Sequence, residues 1–489
     1  MIIILNALFL SFILIYSIVQ LYLTMKYLRN RGRRKSCEPL ADYPVVTIQL
    51  PVYNEKYVIE RLIKAVTLFD YPREKLEIQV LDDSTDETIQ IIRECVKKYQ
   101  NLGFDISQVM REERTDFKAG ALKFGLNQSK GEFIAIFDAD FIPNSDFLQR
   151  TLPYFQQANI GVVQTRWGHL NETYSILTRL QSYALNAHFT IEQTGRNLGD
   201  HFINFNGTAG IWRKQTIVDA GGWEGDTLTE DLDLSYRAQL RGWKFQYLEE
   251  VISPAELPAE MNALRSQQFR WAKGAAECTR KNLRKVLNSK KECASTKIHA
   301  FFHLLNSFVW VCLLGSALLL LPFQWAVYSE SGNTDFLQVF VIFELSFFLL
   351  LIFYLTANIV ANQEVSWWKT LILIPLYPFF LTFSMGISIY NTIGVIEGYL
   401  GKKSPFIRTP KFNITDDKGG FESKSYVKFK LSPVSVLELL LFCYFAVSSY
   451  ITWGYGNYKA FLFLMMMTSG IALVFFLSVW HHIKANRSA

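Results

Sequence analysis

Two aspartates, Asp138 and Asp140, follow an apolar run in IAIFDADF (134–141). Residues two apart in an extended chain point to the same side, so this spacing places both carboxylates together. Mg²⁺ and Mn²⁺ usually bind one or two carboxylates and complete their coordination with water and substrate phosphates. The pair therefore predicts a Mg²⁺ or Mn²⁺ ion that carries a diphosphate, although two solvated loop aspartates remain the alternative at this point.

Other polar groups follow two further predicted strands. Glu55 comes directly after VVTIQLPVYN (45–54), and Asp83 lies at the end of EIQVLDDS (77–84). In parallel sheets, ligands bind outside the carboxyl ends of the strands, so these groups are expected at one rim. Lys118, in FKAGALKFG, lies at a predicted helix start, where the amide dipoles also favour a phosphate. An ordinary surface lysine is the alternative.

An acidic segment, DTLTEDLDL (226–234), begins a helical pattern. Thr229 suits the N-cap position, and Glu230 and Asp231 fall in the first turn, where acidic side chains stabilise a helix without doing chemistry. The functional alternative is a general base whose pKa burial has raised toward the working pH. Spacing alone leaves both alternatives open.

A basic and aromatic segment, RSQQFRWAKG (265–274), lies before the first C-terminal apolar stretch. Arg270 offers a charge-assisted fork for a diphosphate, and Trp271 offers a flat apolar face for a sugar ring. The alternative is a basic amphipathic helix on a membrane surface. The absence of a GxxxxGK[ST] loop and of GxGxxG weakens ATPase and dehydrogenase hypotheses.

An alternation of strand and helix patterns over residues 30–295 predicts an α/β domain with a mostly parallel sheet. The predicted strands are 45–54, 77–84, 133–140 and 161–167, and the predicted helices are 55–68, 88–99, 117–128 and 145–157. Six cysteines without paired spacing fit a reducing compartment.

Apolar stretches on both sides of this domain predict a membrane protein, since half of the 489 residues are hydrophobic. The basic residues cluster beside these stretches, which favours membrane orientation over nucleic-acid binding. A transmembrane helix is predicted over 1–28, and KYLRNRGRRK after it places the domain in the cytosol. The later candidate stretches are 299–325, 336–361, 369–396, 431–453 and 459–481.

The stretch 369–396 contains Pro375 and Pro378, and either proline can break a helix. If it does not cross, both the basic stretch GKKSPFIRTPKF and the C-terminus remain inside, as the positive-inside rule requires. We therefore predict five crossings, with 369–396 re-entrant or interfacial. An ordinary kinked crossing is the alternative.

The ordered motifs resemble those of membrane-embedded processive glycosyltransferases of family 2, which include cellulose, chitin and hyaluronan synthases. The likeness is greatest to the plant cellulose-synthase-like A and C groups, which make mannan or glucomannan and the glucan backbone of xyloglucan. The motifs are PVYNE (51–55), LDDSTDET (81–88), KAGAL (118–122), FDAD (137–140), VQTRW (163–167), FNGTAGIWR (205–213), TEDLDL (229–234) and QQFRW (267–271).

The resemblance implies a GT-A-type domain and a role for each matching residue. Asp231 corresponds to the catalytic base with Glu230 beside it, and Asp138 and Asp140 to the metal-binding pair. The implied substrate-binding residues are Tyr53, Glu55, Asp82 and Asp83 for the nucleoside, Lys118, Asp138, Gln267, Arg270 and Trp271 for the diphosphate and sugar, and Phe205, Gly207 and Thr208 for the acceptor.

The resemblance also extends to a cytosolic gating loop, expected over 400–430 within a C-terminal helical region, 296–489. These synthases carry FxVTxK there, and PFIRTPKF (405–412) supplies Phe406, Thr409 and Lys411 at that spacing. Arg408 stands where valine is usual, which is a departure from the pattern.

The implied function is an inverting, processive β-glycosyltransferase in a plasma, inner or Golgi membrane. It would move hexose from UDP-glucose or GDP-mannose to a β-1,4-glucan or mannan and export the polymer, with membrane lipids and accessory export subunits as further partners and no nucleic acid. Trp310, Trp325 and Tyr354 are candidates for an aromatic export channel. A single-transfer enzyme that makes a glycolipid and an inactive scaffold of an export complex are the alternatives.

Overall fold

The computed structural model describes residues 1–32, 37–330, 339–362, 367–415 and 433–488. One long helix, α1 (Ile2–Asn30), precedes an α/β domain, and a group of long apolar helices follows the domain. The predicted order of an N-terminal helix, a mixed domain and a helical region agrees with this arrangement.

A seven-stranded sheet forms the centre of the domain. Its strands are β1 (Val46–Val52), β2 (Leu76–Asp82), β3 (Asp105–Val109), β4 (Phe133–Ile136), β5 (Ile160–His169), β6 (Gly210–Arg213) and β7 (Lys244–Ala255). Their spatial order is β3-β2-β1-β4-β6-β5-β7. Only β6 among them is antiparallel to its neighbours, β4 and β5, so the prediction of a mostly parallel sheet is confirmed.

The central strands are mostly buried and rich in apolar residues, which explains why the sequence predicted β1, β2, β4 and β5. Ile48, Leu50 and Ile134 are fully buried, since helices cover both sides of the sheet. Strands β3, β6 and β7 were not predicted. The predicted strand 133–140 ends at Ile136, so Asp138 and Asp140 lie in the turn that follows rather than on one face of a strand.

Helices connect and cover these strands: α2 (Ile59–Thr67), α3 (Thr88–Asn101), α4 (Phe117–Gln128), α5 (Phe147–Thr151), α6 (Ile176–Asn186), α7 (Gln193–Leu198), α8 (Lys214–Asp219), α9 (Glu230–Arg241) and α10 (Met261–Asn288). The helix predicted over 145–157 divides into α5 and a 3₁₀ turn, Leu152–Gln156. A π-helical turn, Ala187–Glu192, joins α6 to α7.

The register of β6 brings two separate motifs together. Ile136 pairs with Gly210 in antiparallel register, so the residues after β4 lie beside the residues before β6. The Asp138 backbone N–H accordingly donates to Thr208 Oγ1 at 2.8 Å. The DAD turn is thereby tied to the FNGT loop.

The C-terminal region contains α11 (Ala294–Leu304), α12 (Phe308–Glu330), α13 (Val339–Ala361), α14 (Trp367–Leu400), α15 (Pro433–Gly454) and α16 (Tyr458–Ser488). In the described ranges, six helices are long and apolar enough to span a membrane: α1, α12, α13, α14, α15 and α16. Five crossings were predicted. The difference is the stretch predicted over 369–396.

That stretch is one continuous helix, α14, so neither proline breaks it, and its re-entrant course stays a prediction. Pro375 and Pro378 lie inside it, and packing against α13 holds this part, where the Tyr377 hydroxyl donates to Phe347 O at 2.8 Å. At Gly386, α14 crosses α16 so closely that an added Cβ would lie 2.1 Å from Gly470 O.

The same helix also contacts the α/β domain along much of its length. Phe380 packs against Tyr183 of α6, and Gly398 lies against the backbone of Lys273 in α10. Helix α14 therefore connects the domain to the other long helices, and an interfacial position for it stays a prediction.

Candidate active site

One cavity of about 630 Å³ opens at the carboxyl ends of β1, β2 and β4. It is lined by Tyr53 and Glu55 after β1, Asp83 after β2, and Asp138 and Asp140 after β4. This is the position at which ligands bind in open parallel sheets. The structure thus brings together the three predicted strand ends.

The β2 end of the cavity is an ion-paired pocket. Arg111 Nε and an Nη donate to the two oxygens of Asp83 at 2.7 and 2.6 Å, in a bidentate pair. The Arg114 guanidinium lies 3.4 Å from the centre of the Tyr53 ring. Neither arginine was predicted, because both follow β3, a strand that the sequence pattern did not show.

Asp82 was predicted to bind the nucleoside, and it does not line the cavity. Adjacent residues at a strand end point in opposite directions, so Asp82 turns away from Asp83. Its carboxylate accepts from the Ser84 backbone N–H at 2.9 Å and from Gln108 Nε2 at 2.8 Å. The buried Asp82 therefore holds the turn after β2 in place.

The two aspartates of the DAD turn each carry a counter-ion from this chain. Lys118 Nζ lies 2.5 Å from Asp138 Oδ1, and Lys411 Nζ lies 2.7 Å from Asp140 Oδ2. Carboxylate oxygens at one rim of a cavity are ligands that Mg²⁺ and Mn²⁺ prefer, so the donor set fits such an ion. A metal ion could bind both aspartates here only after Lys118 and Lys411 had moved away from them.

A second acidic cluster lies outside this cavity. Carboxylate oxygens of Glu224, Asp226 and Asp233 lie within 4.8 Å of one another. Lys281 Nζ contacts all three, at 2.5, 2.7 and 3.0 Å. Lys281 neutralises part of the negative charge of these carboxylates. The cluster is therefore an ion-pair network that joins α10 to α9 and to the residues before α9.

The predicted catalytic carboxylates lie at the first turn of α9, and both line the cavity. Burial, and then the neighbouring Glu230, raise the pKa of Asp231 to about 7, while Lys118 opposes the shift. Burial also raises the pKa of Glu230. A carboxyl group with a pKa near neutrality has the proton affinity that a general base needs.

Thr229 occupies the N-cap position of α9, but its side chain makes no capping hydrogen bond. The hydroxyl instead lies 3.4 Å from Cys278 Sγ, and an added Cβ at Gly274 would meet the Thr229 side chain at 2.5 Å. Close packing of α10 against this turn explains why the predicted cap is not formed.

The FNGT loop brings a backbone segment against Asp231, the predicted catalytic base. Gly207 has φ +77°, and an added Cβ would lie 3.1 Å from Asp231 Oδ2 and 3.5 Å from Lys118 Nζ. Lys118 also donates to Gly207 O at 2.9 Å. Glycine is thus required both for this backbone conformation and for the close approach to Asp231.

Phe205 and Thr208 were predicted to contact the acceptor, but neither lines the cavity. Phe205 is fully buried and packs edge-on against Trp212, with ring centroids 5.5 Å apart. Thr208 accepts the Asp138 N–H. Both residues shape the loop, whereas Asn206 of the same predicted stretch lines the cavity together with Asn204, which was not predicted.

The QQFRW motif lies on α10, and Gln267, Arg270 and Trp271 all line the cavity. Arg270 donates to Thr409 Oγ1 at 3.0 Å, and its guanidinium lies 4.5 Å from the centre of the Phe406 ring. Burial lowers the pKa of Arg270 to about 10, so it keeps its charge at neutral pH. The motif therefore places a cation and an indole beside the carboxylates.

The predicted gating loop is described up to residue 415, and residues 416–430 of that prediction lie outside the described residues. Phe406 stacks on Phe117, with centroids 5.6 Å apart. Arg408, the departure from the family pattern, lies 3.1 Å from Glu55 and donates to Asn54 O. The loop thus reaches the β1 end of the cavity.

Two acidic side chains, Glu256 and Glu55, contact this loop. Glu256, after β7, accepts the backbone N–H groups of Phe412 and Asn413, both at 2.8 Å. Burial raises the pKa of Glu55 to about 8, although Arg408 opposes the shift. Glu256 was not predicted, since its strand was not.

The cavity continues from the carboxylates to the apolar helices. Tyr16 of α1, Trp310 of α12, and Tyr354 of α13 line this part together with Trp271. Trp310 and Tyr354 therefore lie where an aromatic path was predicted. Trp325 does not, because its side chain is 69% exposed on the outer surface of α12.

Comparisons with known proteins agree with this geometry. A family model described as "Glycosyltransferase like family 2" matches residues 44–274. Glucomannan 4-beta-mannosyltransferase 9 of Arabidopsis thaliana is 33% identical over 499 residues, which cover 94% of this chain and 87% of that protein. Glucomannan 4-beta-mannosyltransferase 1 of Oryza sativa subsp. japonica is 39% identical over 322 residues, or 61% of this chain, and this chain spans 62% of the rice protein's length.

A solved structure shares the fold. The mannosyltransferase PcManGT from Pyrobaculum calidifontis, in complex with GDP-Man and Mn²⁺, aligns with a TM-score of 0.55 at 18% identity. The alignment covers 81% of this chain and all of that chain. The likeness confirms the GT-A architecture that the motifs predicted.

Proposed function

The chain belongs to glycosyltransferase family 2, and from this premise we propose that it is an inverting β-1,4-mannosyltransferase that uses GDP-mannose. The observation that carries the proposal is a single cavity that joins a carboxylate with a pKa near 7, an acidic DAD turn and the arginine of QQFRW. Mannose is chosen over glucose because the relatives above are named as mannosyltransferases. UDP-glucose is the competing donor.

Donor binding is assigned to the strand ends. Tyr53 and Asp83 would contact the nucleoside once Arg114 leaves the Tyr53 ring. Arg270 and Lys118 would face the diphosphate, because both are cations in the wall of the same cavity. Mg²⁺ or Mn²⁺ held by Asp138 and Asp140 would supply further charge neutralisation of the leaving diphosphate.

The transfer step is a single displacement. Asp231 takes the proton from an acceptor hydroxyl while that oxygen forms a bond to the anomeric carbon of the donor sugar. The bond from the anomeric carbon to the diphosphate breaks, and the electron pair leaves with the nucleoside diphosphate, whose charge Arg270 stabilises. One displacement inverts the anomeric carbon, so an α-linked donor gives a β bond.

Polymer formation and export follow from the shape of the cavity in this proposal. The acceptor would extend from Asp231 past Trp271 toward Trp310 and Tyr354. A chain of sugars cannot cross lipid unaided, since each hydroxyl would lose its hydrogen bonds to water. The aromatic walls offer faces on which successive rings can stack.

The enzyme is further proposed to sit in the membrane with its α/β domain on the cytosolic side. Six long apolar helices and the basic residues after α1 support this orientation. Nucleotide sugars would then reach the domain from the cytosol.

The proposal is tested with purified full-length protein, Mn²⁺ and labelled GDP-mannose or UDP-glucose, with the product sized after digestion by β-mannanase or β-glucanase. We expect a mannanase-sensitive ladder from GDP-mannose. A glucanase-sensitive product would overturn the donor assignment, and one short chloroform-soluble species would favour the glycolipid alternative. No turnover of either donor would revive the scaffold hypothesis.

A further inference from the structure

A polar cluster outside the predicted catalytic set lies where the cavity leaves the catalytic carboxylates. His188 and Asn206 line the cavity there, and Glu192 and Gln20 support them from behind. His188 and Glu192 belong to the π-helical turn, and Gln20 belongs to α1. Asn206 belongs to the stretch 205–208 that the family resemblance assigns to the acceptor side, whereas His188, Glu192 and Gln20 were assigned no role by the motifs.

These side chains form one continuous set of hydrogen bonds. His188 Nε2 lies 3.0 Å from Asn206 Oδ1, and His188 Nδ1 lies 2.8 Å from Glu192 Oε2. Gln20 Nε2 donates to the other oxygen of Glu192 at 2.6 Å. A chain of hydrogen bonds therefore connects α1 to the FNGT loop through Glu192 and the His188 imidazole.

Glu192 is a fixed anchor for the imidazole. It is buried, which disfavours its charge, but Arg196 first and then His188 and Gln20 outweigh burial and lower the pKa of Glu192 to about 2. An Nη of Arg196 lies 3.5 Å from Glu192 Oε1. A charged carboxylate held from three sides leaves the His188 ring little freedom to rotate.

The side-chain amide of Asn206 has hydrogen-bond partners at its oxygen, and among the described residues it has none at its nitrogen. Its Oδ1 contacts His188 and accepts from Asn204 Nδ2 at 2.9 Å. Its Nδ2 is buried and has no hydrogen-bond partner among the described residues. A buried donor without a partner costs free energy, and an oxygen from a ligand in the cavity would remove that cost.

The position of this free donor indicates which ligand it meets. Asn206 precedes Gly207, which lies close to Asp231, and all three residues line the same cavity. A group at this point that offers an oxygen acceptor is a hydroxyl of the acceptor sugar, since the diphosphate is assigned to the other end of the cavity.

We propose that His188 and Glu192 are positioning residues, which hold the Asn206 amide so that its N–H donates to a hydroxyl oxygen of the acceptor's terminal sugar. This inference rests on the proposed function. It adds that acceptor affinity depends on a hydrogen-bonded link to α1 and not only on stacking against Trp271.

The test separates the two nitrogens of the imidazole. The amide of His188→Gln reaches the place of Nε2, next to Asn206, whereas the amide of His188→Asn reaches only the place of Nδ1, next to Glu192. Purified full-length variants are assayed with labelled GDP-mannose, Mn²⁺ and mannotetraose, and KM is measured for donor and acceptor separately. Wild-type protein is run alongside, and thermal unfolding verifies that each variant is folded.

We expect His188→Asn and Asn206→Ala to raise the acceptor KM by about 3- to 10-fold, as loss of one hydrogen bond predicts, while the donor KM changes less than about 2-fold. His188→Gln should recover most of the acceptor affinity. Asn206→Asp, which keeps the shape but replaces the donor by an acceptor, should behave like Asn206→Ala and covers the case in which alanine does not fold.

Equal acceptor KM values for His188→Asn and His188→Gln would overturn the inference, and so would a donor KM that rises with the acceptor KM. Failure of the wild-type protein to transfer mannose is a separate outcome, since it would refute the proposed function before any variant is compared.

Discussion

The two halves of the cavity differ in how they handle charge. In the donor half, the carboxylates at the strand ends are paired with basic side chains: Asp83 with Arg111, Asp138 with Lys118, and Asp140 with Lys411. The acceptor half presents amides and aromatic rings, among them Asn206, Trp271 and Trp310. Behind it, Glu192 is buried and paired with Arg196, and neither residue lines the cavity.

This difference matches two kinds of ligand. A metal diphosphate carries several charges, so binding exchanges one set of ion pairs for another at modest cost in desolvation. A sugar chain is uncharged, so the proposed acceptor would be bound by hydrogen bonds and stacking. Asp231 lies between the two halves of the cavity. Substitutions on either side of it should therefore affect one half and not the other.

The largest effect is expected for Asp231→Asn. Loss of the general base should reduce kcat by about 10³-fold, while the amide keeps the shape of the site. GDP-mannose binding, measured by calorimetry, should change little, and Asp219→Asn on exposed α8 is the matched control. A loss of donor affinity as large as that of an Asp140 variant would show that Asp231 has been assigned the wrong role.

The second-largest effect on activity is expected for a change in the half of the cavity that we assign to the donor. Asp140→Asn removes a proposed metal ligand and should lower kcat/KM by about 10- to 100-fold, with weaker binding of both Mn²⁺ and GDP-mannose. Removal of the metal with EDTA should abolish transfer by the wild type. Glu224→Gln, in the acidic cluster outside the cavity, should behave like wild type, and equal losses in both variants would contradict the metal assignment.

The pH dependence of kcat tests whether Asp231, between the two halves of the cavity, is the general base. Burial and Glu230 raise the pKa of Asp231 to about 7, and only the deprotonated carboxylate can accept a proton. The rate should therefore fall about tenfold per pH unit below 7 and level off above it. Glu230→Gln removes a neighbouring negative charge, so its acid limb should move to lower pH, and an unmoved limb would count against this assignment.

The smallest effect is expected for Arg408→Val, which restores the residue usual in the family loop. Removing this arginine takes away its contact with Glu55 and its hydrogen bond to Asn54 O, so the loop should pack less firmly at the β1 end of the cavity and the donor KM should rise by about 3- to 5-fold. In the background of Glu55→Gln, the same change should have less effect. Additive effects would show that Arg408 acts elsewhere, and a raised acceptor KM would break the division between the two halves.

Sequence patterns predicted the centre of the sheet better than its edge. The buried strands β1, β2, β4 and β5 are rich in apolar and β-branched residues, and this composition is visible without any knowledge of neighbours. Strand β3 is short and polar, and its side chains alternate between exposed and buried positions. Arg111 and Arg114 follow it, so missing this strand meant missing the basic side chains beside Asp83.

Most of the site residues that the motifs predicted line the cavity, but the motifs did not predict the direction in which each side chain points. Asp82 and Asp83 are adjacent carboxylates of one motif, yet only Asp83 faces the cavity. Within FNGT, the predicted Phe205 and Thr208 point into the protein, whereas Asn206 lines the site. Spacing along a loop does not fix orientation, because the backbone there lacks a regular period.

By itself, the sequence determined the fold class, the membrane character and the identity of the chemical groups, because hydrophobic periodicity and motif order are local properties of a chain. The tertiary structure decided which groups meet. Lys411 reaches Asp140 across 271 positions, and Gln20 reaches Glu192 across 172. It also decided that α14 is continuous through two prolines and that burial brings the pKa of Asp231 near 7, since packing and desolvation depend on neighbours that are distant in the chain.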